Sequence, residues 1–119
     1  MSAEIASNTG GILTARISGT LTQPELAALQ ASAQDSIRQQ GHVSVLIIAE
    51  NFQGWRDGDD WSDVSFMDND PYIKKMAIVG ERQWEQLALI FAASPIRKFP
   101  IEYFQPAELE RARAWLAEA

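Results

Sequence analysis

Six of the seven aspartates in this 119-residue chain, Asp57, Asp59, Asp60, Asp63, Asp68 and Asp70, fall in the stretch ENFQGWRDGDDWSDVSFMDNDPYIKK (50–75), threaded among Phe52, Trp55, Trp61, Phe66 and Tyr72. Carboxylates at that density have three uses: holding a hard cation, working as an acid and base pair, or capping a helix. An EF-hand calcium loop needs oxygen ligands at positions one, three and five, glycine at six and glutamate at twelve. Counting from Asp57 puts Trp61 at five and Ser62 at six; counting from Asp68 puts Tyr72 and Ile73 there, so both registers fail. Zinc asks for three or four His, Cys or carboxylate ligands, and the chain has one histidine and no cysteine. No metal site is expected, and capping is the first reading of the aspartates, with Asp57, Asp59 and Asp60 at the start of a short helix from Asp57 to about Met67.

Catalysis is the weaker reading. Glu50 follows a buried strand with Asp57, Asp59 and Asp60 close behind. Nothing in their spacing fixes two carboxylates at the separation that acid and base roles with split pKa values require. His42 sits before that strand, at its other end, and reads as a loop residue. GxGxxG, P-loop and GxSxG patterns are absent, and Gly80 before a helix is by itself a weak phosphate signal. No catalytic residue and no cofactor are assigned; a carboxylate hydrolase ranks last among the functions considered.

The aromatic rings in the same stretch carry more. Phe52, Trp55, Trp61 and Phe66, followed by Met67, lie in a short, polar connection with Gly54 and Gly58 as hinges, and Trp84 follows a neighbouring strand at the same end. These six apolar residues form the candidate ligand site: a mouth at the carboxyl ends of the strands, with residues 52–67 either closing over it as a lid or packing permanently on the sheet. Trp84 and Trp115 also sit at the helical spacing of core residues.

The whole chain bounds these readings. Its length fits one domain, 1–119, able to bury a core without disulfide or metal. The absence of cysteine suits a cytoplasmic protein. Ten basic against sixteen acidic residues give a net charge of −6, which disfavours nucleic acid as a partner. The same charge leaves contact with a membrane surface to apolar side chains or a local basic face. VLIIA (45–49) and LALIFAA (87–93) are far short of a membrane span, and the first residues have no signal-peptide pattern.

The elements that must position the rings follow from periodicity. AEIAS (3–7), the turn NTGG (8–11) and ILTARISGT (12–20) read as a hairpin. Thr22, Pro24 and Glu25 start a helix whose face carries Leu26, Leu29, Ala33 and Ile37 and which Gly41 ends. VSVLIIA (43–49) and IKKMAIVG (73–80) are strands buried on both faces. ERQWEQLALIFAA (81–93) is a helix with Trp84, Leu87, Ala88 and Phe91 on one face, and FPIEYF (99–104) is an outer strand. PAELERARAWLAEA (106–119) is a final helix packing Leu109, Ala112 and Leu116. Apolar residues wrap most of LALIF (87–91), so Leu89 or Ile90 is expected to line a pocket or a subunit contact, which makes a homodimer an expectation. The order predicts an α/β fold: a mixed, mainly parallel sheet of about five strands with an N-terminal antiparallel hairpin, packed with about four helices.

GTLT (19–22), NFQGW (51–55), Trp61, IKKMAIVGERQWEQ (73–86) and IEYFQPAELERARAWL (101–116) together resemble the SpoIIAA-like proteins, whose fold is related to STAS regulatory domains and CRAL-TRIO lipid-transfer domains. The resemblance implies a non-enzymatic domain that binds or regulates, with lipid or membrane association. STAS anti-sigma-factor antagonists carry a phosphorylated serine in a turn after the third strand; this chain has AENFQGWRDG (49–58) there, with no serine. The expected function is therefore a binding module for an apolar or amphipathic small molecule, lipid-like ligands included. The alternative is a regulatory domain with a protein partner but without that switch.

Overall fold

The computed structural model describes residues 3–61, 65–93 and 97–118. Strand β1 (Ala3–Thr9) turns through Gly10 and Gly11, with φ of 63° and 79°, into antiparallel β2 (Ile12–Leu21). Two successive positive φ values are what a tight hairpin turn requires, and glycine supplies them without strain. Helix α1 (Gln23–Gln40) leads to β3 (Val43–Trp55), a 3-10 helix (Ser65–Tyr72) and β4 (Ile73–Val79). A 3-10 turn (Arg82–Trp84) opens α2 (Glu85–Phe91); β5 (Ile101–Phe104) and a second turn (Pro106–Glu108) precede α3 (Leu109–Ala117).

The five strands lie in the order β1-β2-β3-β4-β5, with β2 through β5 parallel and β5 at the edge. The mixed, mainly parallel sheet with its hairpin is thus present as expected. Parallel neighbours joined in sequence by right-handed crossovers load every connection onto one face. On that face Leu13, Ala15, Ile17, Val45 and Ile47 meet Leu29, Ala33 and Ile37 of α1. On the other, Leu46, Ile48, Ala77, Val79 and Phe104 pack against Ala112, Leu116 and Trp115 of α3. Among the described residues no helix is long and apolar enough to cross a membrane.

Two elements differ from the sequence expectation. β3 does not end at Ala49 but continues to Trp55. The helix expected over 57–67 is absent from Asp57 to Trp61, which is turn and coil, and helical structure starts at Ser65 as a 3-10 helix carrying Pro71; residues 62–64 lie outside the described residues.

The reason for the second difference is where Asp59 spends its oxygens. It caps α1 instead of a helix of its own: Oδ2 accepts from the Gln23 backbone N–H at 2.7 Å, and Oδ1 accepts from Arg56 Nε at 2.7 Å. The remaining donors at the start of α1 can then be traced one by one. Pro24 has no N–H, Glu25 N–H donates to Thr22 Oγ1 at 3.4 Å, and Leu26 N–H donates to the Thr22 carbonyl at 3.1 Å. Glu25 completes the capping box by accepting from the Thr22 N–H at 3.1 Å. Replacing Thr22 with Ala should lower unfolding free energy by about 1 kcal/mol, read from urea titrations with unchanged m-value.

Hydrogen bonding from Arg56, then from the Gln23 N–H, holds the Asp59 carboxyl below its usual 3.8. A depressed folded-state pKa contributes stability that is complete above the unfolded value and is lost as pH falls through the folded one. Stability should therefore decline from about pH 4 downward, and Asp59→Asn should shrink that decline. An identical pH slope in the variant would show that Asp59 is not coupled to folding.

Candidate functional site

The extension of β3 aims the rings. Up to Ile48 the strand pairs with β4; beyond that it pairs with β2 alone, and the register slips twice: Ser18 faces Glu50, Gly19 faces Phe52, Thr20 faces Gly54 and Leu21 faces Trp55. Asn51 and Gln53 are the extra residues of two successive β-bulges, both exposed, with Asn51 at φ 51°. Strict alternation from inward-facing Ala49 would put Asn51 and Gln53 inside. With one residue extruded at each bulge, the inward positions become Ala49, Phe52 and Trp55. Gly54, at φ 100°, supplies the second bulge, and a Cβ there would lie 3.4 Å from Cη2 of Trp84.

Phe52, Trp55, Trp61, Phe66, Met67 and Trp84, the six residues proposed from sequence, all border one cavity of about 300 Å³ between the sheet face and helices α1 and α2. Five rings close its carboxyl end. Phe52 stands edge-on to Trp55 (5.1 Å between centroids) and to Trp84 (5.0 Å); Trp55 lies 6.1 Å from Trp84 and 5.0 Å from Phe91; Trp61 meets Phe91 at 5.3 Å. Such pairs each contribute roughly 0.5–1.5 kcal/mol beyond area burial.

The cavity is more than a mouth outside the strand ends. It runs back beneath the helices along Leu13, Ala15, Val45, Ile47, Met76 and Ile78. Sequence reasoning missed this depth, although the small Ala15 and Ala49 at inward positions are its signal. From α2 the lining residues are Ala88 and Phe91, not Leu89 or Ile90. Ile90 is 66% exposed and Leu87 51%, so both point outward. Of the two readings of residues 52–67, a lid or permanent packing, a lid that starts at Phe52 is ruled out because residues 52–55 are paired with β2 in the sheet. The Arg56 N–H, donating to the Leu21 carbonyl at 2.9 Å, extends that anchoring by one residue.

Three polar residues of the cavity wall, Gln30, Arg97 and Tyr103, were not singled out from sequence, and neighbouring groups hold two of them, Arg97 first. Asp70 is 2% exposed and accepts two hydrogen bonds from Arg97 Nε (2.9 and 3.1 Å), one from Arg97 Nη2 (2.8 Å) and one from the Lys98 N–H (3.2 Å). Arg97 also donates through Nη1 to the Ala92 carbonyl at 3.2 Å and lies over the Phe99 ring. One guanidinium thereby ties the 3-10 helix, the end of α2 and the approach to β5 together. Tyr103 is the second. Burial first, then the charges of Glu85 and Glu81, push its hydroxyl up to about 12, and it donates to the Glu81 carbonyl at 2.8 Å. A Cβ at Gly80 would lie 2.5 Å from that hydroxyl oxygen, so Gly80 makes room for Tyr103.

The rest of the acidic stretch does not converge. Glu50 pairs at the surface with Arg16 at 3.3 Å, Asp57 and Asp68 are exposed, and Asp63 lies outside the described residues. Among the described residues no three His, Cys, Asp or Glu side chains gather as metal ligands. His42 is an exposed loop residue whose ring lies 6.2 Å from that of Tyr72. The indole Nε1 atoms of Trp55 and Trp84 are buried with no hydrogen-bond partner among the described residues. Each unpaired donor costs roughly 1–3 kcal/mol.

Residues 12–117 match the model of the SpoIIAA-like family. The chain belongs to the SpoIIAA-like family. Among solved structures it is similar to an uncharacterised protein with a SpoIIAA-like fold from Shewanella loihica, at 17% identity and a TM-score of 0.74 over 98% of this chain and 94% of that one. Likeness at that identity carries the fold. No curated protein matches the chain. In this SpoIIAA-like chain the segment without the regulatory serine, residues 49–58, is the bulged end of β3 and the turn after it.

The Asp70–Arg97 pair gives this SpoIIAA-like wall a test. Removing one member of a buried pair leaves the other charge uncompensated, so Asp70→Ala should lose roughly 3 kcal/mol of unfolding free energy. Asp70→Leu combined with Arg97→Met should regain much of that loss. Additive losses in the double variant would mean that the two side chains stabilise the protein independently.

Proposed function

We propose that this SpoIIAA-like chain is a non-enzymatic, cytoplasmic binding module that takes an apolar or amphipathic small molecule, lipid-like compounds included, in the cavity between the sheet and helices α1 and α2. The observation that carries the proposal is the cavity itself: about 300 Å³, walled by aliphatic and aromatic side chains, with its wall guanidinium already paired. That size is at the lower end of small-molecule sites. Apolar walls facing water forgo about 25 cal/mol for every Å² left uncovered, which a ligand of matching chemistry recovers.

A second reading, a regulatory domain that docks a partner protein, is favoured by one observation. Leu87 and Ile90 stand side by side in sequence register on α2 and face solvent. The same side chains would serve a membrane surface during ligand transfer.

Native mass spectrometry of protein purified gently from its own cells, followed by denaturing release, tests the first reading. An amphiphile of defined mass is the expected result. Titrating the released compound should shift tryptophan emission to shorter wavelength, and Trp84→Phe should reduce that shift. A clean apo mass, with no emission change across fatty acids, alcohols and esters, would overturn the cavity reading. A stoichiometric protein partner lost on Ile90→Asp would then establish the second.

A further inference from the structure

Resting on the reading that the cavity takes a ligand, we infer that this ligand carries an uncharged carbonyl oxygen, as in a ketone, aldehyde or ester, seated between Trp55 and Trp84. The two rings are 6.1 Å apart in the wall at one end of the cavity, and each has an indole N–H that is shielded from solvent and has no acceptor among the described residues. An indole N–H is a donor only, whereas a carbonyl oxygen has two lone pairs and no hydrogen to place. A carbonyl oxygen therefore has the capacity to accept from both donors, which no hydrocarbon has.

Charge selects the neutral carbonyl over a carboxylate. Arg97, the guanidinium in the wall, is spent on Asp70 and the Ala92 carbonyl. Glu81 and Glu85, at the start of α2, act on Tyr103 in the same wall and would repel an anion. An alcohol brings a hydrogen that needs an acceptor of its own, a requirement that a carbonyl oxygen does not have.

Each Nε1 is covered by protein atoms, so pairing requires a turn of the indole about its side-chain torsions. The wall able to give way is α2, which buries none of its own residues. The site thus pairs an apolar body along the sheet with one acceptor at the tryptophans, reached when the indoles turn.

The test compares methyl nonyl ketone, undecane and undecanoic acid, three chains of equal carbon number, by displacement of the neutral reporter phenylnaphthylamine from the intact protein. Indole N–H resonances are followed by nitrogen-15 NMR. The ketone should bind about two- to tenfold more tightly than undecane, in line with one net hydrogen bond, and should move the Trp55 and Trp84 indole signals downfield. Trp55→Phe and Trp84→Phe should each lower the ratio of ketone to undecane affinity, a ratio in which any loss of cavity packing common to both ligands cancels. Equal affinities for ketone and alkane would overturn the acceptor inference and leave the cavity reading standing. Tighter binding of the acid would overturn the neutral-carbonyl assignment. Binding of none of the three would overturn the inference and count against the cavity reading beneath it.

Discussion

Every crossover in this sheet must land on the same face. From β2 to β5 each strand is followed by its immediate parallel neighbour, and right-handed connection then leaves no choice of side. Three connections, built from an 18-residue helix, an 8-residue 3-10 helix and a 7-residue helix, share the task of covering one face. Only α1 is long enough to bury a full stripe. Among the described residues the opposite face is covered over β3 to β5 by α3, through Ala112 and Leu116. The cavity is the space that two short helices leave on the crowded side.

Polar groups then fix the edges of that space. The acidic stretch works by reaching outside itself: Asp59 closes the first turn of α1, thirty-six residues away in sequence, and Asp70 holds Arg97 from the far side of α2. Neither carboxylate does what proximity in sequence implied. Asp59 fastens the turn after β3 to α1, and Asp70 fastens the 3-10 helix to the approach to β5.

Much of the architecture was legible from periodicity alone, since the hairpin, the capped α1 and the two interior strands are each specified by local pattern. The family resemblance and the six apolar site residues likewise came from residues that stand close together in sequence or at one end of neighbouring strands. What escaped was non-local or non-periodic. NFQGW does not alternate, so the continuation of β3 through two bulges cannot be recovered from a period-2 reading. Proximity assigns Asp57, Asp59 and Asp60 to the nearest helix, whereas the N–H that Asp59 satisfies belongs to α1. The Asp70–Arg97 pair spans 27 residues, and nothing in either local sequence announces it. The helix face that periodicity gives over 81–93 holds for Ala88 and Phe91, which line the cavity, but not for Leu87, which is exposed, and nothing local marks Phe91 as the ring that joins Trp55 to Trp61.

The two bulges bear on how relatives of this chain are compared. Asn51 and Gln53 contribute neither a strand partner nor a buried side chain. A relative lacking one of them would have a plainer strand, with the next ring still facing inward, because removing an extruded residue restores alternation instead of inverting it. Loss of Asn51 or Gln53 would therefore shorten the segment and keep the inward set Ala49, Phe52 and Trp55. Correspondence between distant members is best drawn through the rings that meet beneath α2, with gaps allowed at the extruded positions, and not by counting residues along the strand.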